Sequence, residues 1–82
     1  ALEFAALTLA TPNYAEACAA ARLKPAPLGG DLLRHPTLVE AGRVLQQQWH
    51  CELLIITLGP HGMYLVSRSA RPRVIPTKAR EV

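Results

Sequence analysis

Residues Leu53 to Leu58 (LLIITL) are apolar at every position except Thr57, and Gly59-Pro60-His61-Gly62 closes the run. Six residues are too few for most helices. Near-continuous apolarity, as opposed to alternation, marks a strand covered on both faces, as parallel strands usually are. Such a strand needs helices to cover it, so this run points to an α/β chain. A second short apolar run, Ala5 to Ala10 (AALTLA), reads as a buried strand stopped by Thr11-Pro12-Asn13. Asn13 can accept from first-turn amides and Glu16 can reach back to it, a capping box that opens a helix over Tyr14 to Ala21. The stretch Lys24 to Gly30 (KPAPLGG), with two prolines and two glycines, breaks that helix. Thr37 and Glu40 repeat the capping-box spacing ahead of a second helix, on which Leu38, Ala41, Leu45 and Trp49 recur at helical intervals. Its outer face carries Glu40, Arg43 and Gln47. Met63 to Val66 then reads as a returning strand, Ser67 to Pro72 as a polar turn and Arg73 to Pro76 as a last short strand.

This order makes the first two strands parallel neighbours, or nearly so, joined by a helical crossover. In open α/β sheets ligands bind beyond the carboxyl ends of the strands. The loops beginning at Thr11 and at Gly59 are therefore the two places to look for function.

The chain has 82 residues, enough for one domain and no more. A unit of this size buries only about 60% of its unfolded surface, so its core is expected to be marginal and the chain to be a fragment. Cys18 and Cys51 have neither metal nor disulfide-scaffold spacing and fit a reducing cytoplasm. There is no signal-peptide pattern and no apolar run of the roughly 18 residues that would span a bilayer, so no membrane partner is expected. Of the net charge of +3, residues 67–82 carry +4 and the rest −1. A basic end can attract nucleic acid, but its only aromatic neighbours are Tyr64 and the more distant Trp49, and a solvated edge is the expectation. Exposed strand edges leave room for a homo-oligomer.

Several enzyme classes lack their parts. His35 and His50 flank the second helix without metal-ligand spacing, and neither a Gly-x-Ser-x-Gly elbow nor a Walker-type glycine loop occurs. Asp31 is the only aspartate and follows Gly29-Gly30, where turn or cap duty is the default. His61 reads as a solvated loop residue.

Three stretches together resemble the PfkB (ribokinase-like) family of carbohydrate kinases. Thr11-Pro12-Asn13-Tyr14-Ala15-Glu16 resembles the family's N-x-x-E motif. Thr57-Leu58-Gly59-Pro60-His61-Gly62 resembles its T-x-G-x-x-G turn. Ile75 to Val82 (IPTKAREV) looks like the strand that leads into the family's G-A-G-D signature, which this sequence does not reach. The P-N-x-x-E-A opening and the P-T-x-A-R-E-V ending look most like the heptose-7-phosphate kinases that make ADP-heptose for lipopolysaccharide.

The resemblance implies a fragment of a ribokinase-like three-layer α/β fold with a mostly parallel sheet. Residues 1–82 would form a partial kinase domain, lacking the N-terminal sugar-binding part. It implies ATP and Mg²⁺ as cofactors and a sugar or sugar phosphate as acceptor. Asn13 and Glu16 would stand near the magnesium and phosphates, with Glu16 as the metal-side carboxylate, and Thr57, Gly59 and Gly62 would lie against the nucleotide. Each has an ordinary structural role as well: cap for Asn13 and Glu16, strand end for Thr57, tight turn for the glycines. The G-A-G-D turn would supply the catalytic base, so the isolated chain is expected to be inactive. The alternative is a non-enzymatic α/β binding or assembly module sharing the same strand, cap and helix grammar.

Overall fold

A computed structural model describes residues 9–68 and 70–76. Four strands form one sheet in the order β1 (Leu9–Ala10), β2 (Leu53–Thr57), β3 (Met63–Ser67), β4 (Arg73–Ile75). β1 and β2 pair in parallel, with Leu9 opposite Leu53. Helices α1 (Tyr14–Ala21) and α2 (Pro36–Trp49) form the crossover between them. β2, β3 and β4 follow as antiparallel neighbours, with Ile56 opposite Tyr64 and Tyr64 opposite Val74. The fold is thus the expected α/β type. Where the resemblance implies a mostly parallel sheet, the described strands make one parallel pairing, the one that carries the crossover, and two antiparallel ones, because short turns join β2 to β3 and β3 to β4. The sequence expectations for residues 5–8 and 77–82 lie outside the described residues.

α1 begins where the sequence places it. Asn13 is extended (φ −82°, ψ 175°), its Oδ1 accepts from the Glu16 amide at 2.8 Å, and Glu16 Oε1 accepts from the Asn13 amide at 2.9 Å. The helix ends at Arg22, which turns left-handed (φ 62°) while Leu23 N–H reaches the Cys18 carbonyl at 2.8 Å.

α2 departs from expectation. Thr37 and Glu40 do not form a capping box; both lie inside the helix, and Glu40 pairs with Arg43 instead. The cap is His35, whose Nδ1 accepts from the Leu38 amide at 3.2 Å, and Pro36 occupies the first turn, where its missing N–H costs nothing. A short 3-10 turn, Leu32–Arg34, precedes it, capped by Asp31, whose Oδ1 accepts from the Leu33 amide.

The core lies between the helices and one face of the sheet. Ala17, Leu38, Ala41, Leu45, Leu54 and Ile56 are fully buried, with Cys51, Leu58 and Tyr64 beside them. Each large apolar side chain removed from water contributes about 1.5–3 kcal/mol. Gly42 lets α2 approach β3 closely: a Cβ there would stand 3.0 Å from Val66 Cγ2 and 3.1 Å from Tyr64 Cε2.

Among the described residues β2 is fully covered on one face only, where its composition suggests both. Leu54 and Ile56 are buried against the helices, whereas Leu53, Ile55 and Thr57 on the opposite face are half-buried, as are Met63 and Leu65 beside them. The apolar run is thus only half used within the described residues.

Candidate functional site

The two loops singled out in the sequence are brought together. The chain leaving β1 continues the parallel register: Thr57 N–H donates to the Pro12 carbonyl at 2.9 Å, and Asn13 bridges Thr57. Asn13, at the start of α1, and Thr57, at the end of β2, are therefore direct lateral neighbours at the carboxyl edge of the sheet. Pro12 is buried and cannot donate, and it sits where only its carbonyl is needed.

The capping box holds the first turn of α1 in place and leaves groups over. It uses Asn13 Oδ1 and Glu16 Oε1, so the Asn13 amide nitrogen and the second Glu16 oxygen lie outside it. Both residues are exposed. The cap and a ligand role are compatible on this geometry.

The turn after β2 is a 3-10 turn, Gly59–His61, tied by Leu58 N–H to the Gly62 carbonyl at 2.8 Å and by Gly62 N–H to the Gly59 carbonyl at 3.1 Å. Its two glycines differ. Gly59 is left-handed (φ 60°) and exposed, and a Cβ there would meet nothing within 4 Å, so open space faces this backbone. Gly62 is buried, with φ 103° and ψ −139°, and a Cβ there would stand 2.1 Å from the Ile75 carbonyl oxygen. Gly62 is needed because β4 crosses it. His61 is exposed in the same turn.

Tyr14 and His35 are structural residues that sequence reasoning did not single out. The Tyr14 hydroxyl donates to the Ala26 carbonyl at 2.8 Å and accepts from the Ala26 amide at 3.0 Å; burial pushes this phenol up from its ordinary value. His35 Nε2 lies 2.8 Å from the Pro27 carbonyl. A histidine cap falls outside the Ser, Thr, Asp and Asn signals by which helix starts are read. Cys18 and Cys51 are buried and free, and burial pushes both thiols up, as expected of packing residues.

Among the described residues no group of three or more His, Cys, Asp or Glu side chains could hold a metal ion, and no helix is long and apolar enough to cross a membrane. One apolar groove lies between α2 and β3, lined by Val39, Gln46, Tyr64 and Pro72 among others. Another lies on the open sheet face around Leu53, Leu65, Arg71 and Arg73. Neither includes Asn13, Glu16, Thr57, Gly59 or Gly62.

No protein-family model matches the chain. It is 40% identical over 79 residues to the bifunctional protein HldE of Pelobacter propionicus, covering 96% of this chain and 15% of that protein. It is 33% identical over 75 residues to the bifunctional protein HldE of Vibrio atlanticus, covering 92% and 14%. The chain therefore spans about one seventh of the curated relatives it matches. In fold it is similar to the crystal structure of phosphofructokinase-2 from Escherichia coli in complex with fructose-6-phosphate, with a TM-score of 0.67 at 17% identity, covering 90% of this chain and 22% of that one. A mutant of the same enzyme gives a TM-score of 0.69 at 15% identity, over the same shares. Sequence and fold thus both agree with the resemblance to a segment of the ribokinase-like carbohydrate kinases.

Proposed function

We propose that this chain, similar in sequence and in fold to a segment of the ribokinase-like carbohydrate kinases, is the nucleotide-side part of an ATP-dependent kinase that phosphorylates a sugar hydroxyl, with heptose 7-phosphate as the acceptor. The observation that carries the proposal is the bridge between Asn13 and Thr57. Two motifs separated by more than forty residues meet at one edge of the sheet, where such folds bind ligands.

The residues present suit a magnesium nucleotide better than a bare ion. Mg²⁺ keeps several waters and takes one or two carboxylates together with phosphates, and Glu16 offers one carboxylate at an exposed helix start. Bound with ATP, the ion would neutralise charge on the phosphates. Asn13 would orient its water shell or a phosphate through the amide nitrogen that the cap leaves over. Thr57 would contribute its hydroxyl at the strand end. Gly59 would let the nucleotide approach the backbone across the open space beside it. Gly62 would act indirectly, by holding the turn in shape.

Catalysis also needs a base for the acceptor hydroxyl. The only aspartate, Asp31, is occupied as the cap of a 3-10 turn and lies 3.7 Å from Arg34. The chain alone is therefore inactive on this reading, and both the base and the sugar pocket belong to other parts of a longer cytoplasmic enzyme. Binding of magnesium ATP to the full-length protein tests the site. Glu16→Gln should weaken binding in the presence of Mg²⁺ and leave magnesium-free nucleotide binding nearly unchanged. Equal binding by wild type and variant under both conditions would count against the assignment.

A further inference from the structure

His35 is 92% buried, being 8% exposed, and uses both ring nitrogens in opposite senses. The Leu38 amide donates to Nδ1, so Nδ1 must be bare; the Pro27 carbonyl can only accept, so Nε2 must carry the hydrogen. Only the neutral imidazole protonated at Nε2 satisfies both. A second proton would sit on Nδ1 and face the Leu38 N–H, donor against donor. The Nδ1 bond is the N-cap of α2, and the Nε2 bond ties that cap to the crossover segment.

The neighbouring residue of the crossover is held from the other side. Tyr14 grips Ala26 through both its carbonyl and its amide, and its ring meets the His35 ring edge-on at 6.2 Å. Ala26 and Pro27 are thus clasped jointly by α1 and by the start of α2. Tyr14 is also the first residue of α1, between Asn13 and Glu16 in the chain.

The charged and titratable groups around His35 offer it no compensating partner. α1 presents the Tyr14 ring, with the Cys18 thiol behind it. The 3-10 turn carries Asp31 and Arg34, exposed and paired with each other, and α2 carries Glu40 and Arg43, likewise paired. Lys24 on the crossover is exposed. Among the described residues no carboxylate lies within ion-pair reach of His35.

We propose that His35 is a proton-sensitive clasp. In its neutral form it fastens the crossover at Pro27 to the start of α2. On protonation the Leu38 N–H loses its acceptor and the N-cap of α2 is released, while Nε2–H still donates to the Pro27 carbonyl. The direction follows from linkage: the released form takes a proton that the clasped form has no room for, so acidification favours release.

The clasp does not rest on the function proposed above, and the test reads it directly. In the full-length protein, nitrogen-15 spectra at pH 8 should show His35 as the Nε2–H tautomer, assigned by its loss in His35→Asn. Amide exchange at Leu38, corrected for intrinsic rates, should lose at least about fivefold protection on acidification from pH 8, the worth of one N-cap, while Ala26, bonded to Tyr14, stays protected. His35→Asn supplies an oxygen cap that does not titrate, so Leu38 protection should stay constant with pH while Ala26 is less protected throughout. His35→Gln keeps a donor for Pro27 and loses the cap. An Nδ1–H tautomer at pH 8, or wild-type protection at Leu38 that does not change with pH, overturns the proposal whatever the protein phosphorylates.

Discussion

Replacing Gly62 with alanine should be among the most damaging single-methyl changes in this chain, and replacing Gly59 among the mildest in the same turn. At Gly62 the new Cβ would lie 2.1 Å from the Ile75 carbonyl oxygen and 2.8 Å from Pro76 Cα. A carbon and an oxygen approach to about 3.3 Å without penalty, so the backbone of β4 must retreat by about 1 Å or the turn must open. The atoms in the way are main-chain atoms, with no side chain to swing aside. The φ of 103° adds backbone strain of about 1–3 kcal/mol for any residue with a side chain. Overpacking adds a similar amount. Together they cost about 2–6 kcal/mol, a large share of what a domain this small can hold. At Gly59 the space is open and only the left-handed φ of 60° is disfavoured, about 1–2 kcal/mol. Urea unfolding followed by circular dichroism measures both. A Gly62→Ala loss below about 1 kcal/mol, or one equal to that of Gly59→Ala, would refute the claim that the crossing of β4 is what requires this glycine.

Asn13→Ala should lose about 1 kcal/mol of stability through the α1 cap, while Asn13→Asp keeps the cap; thermal unfolding separates them, and equal losses would contradict the capping box. Tyr14→Phe removes both hydrogen bonds to Ala26 and should destabilise by about 1–3 kcal/mol, with faster amide exchange at Ala26 as the local readout. Cys18 and Cys51 should resist a thiol reagent in the native state and react together on unfolding. Because burial raises both thiols above their unfolded values, their contribution to stability is complete below about pH 8.5 and is lost as pH rises through the folded values.

What could be read from the sequence was whatever local chemistry decides by itself. The Asn13 and Glu16 box, the extent of α1 and the hairpin from β2 to β3 each rest on residues within a few positions of one another, and each stands in the structure. The start of α2 was misplaced because Thr37 and Glu40 have the right spacing, while the residue that caps is a histidine whose tautomer is set by Pro27, eight residues earlier. The burial of β2 was overread because an apolar run reports what a strand is suited to, and the described residues cover one face of it. At the candidate site, the motifs nominate residues but do not tell their structural roles apart. Only the approach of Ile75 to Gly62 shows that this glycine serves the fold, whereas Gly59 faces open space.

The central claim is that Asn13 and Thr57 meet at the nucleotide end of a sugar kinase. Transfer of the labelled γ-phosphate of ATP to heptose 7-phosphate by the full-length protein, with wild type beside Glu16→Gln and Thr57→Val, tests it most directly. The account predicts magnesium-dependent transfer by the wild type and at least about tenfold less by each variant, about 1.4 kcal/mol of lost transition-state stabilisation, with folding intact. Full transfer by both variants, or none by the wild type with any sugar or sugar phosphate, would contradict it.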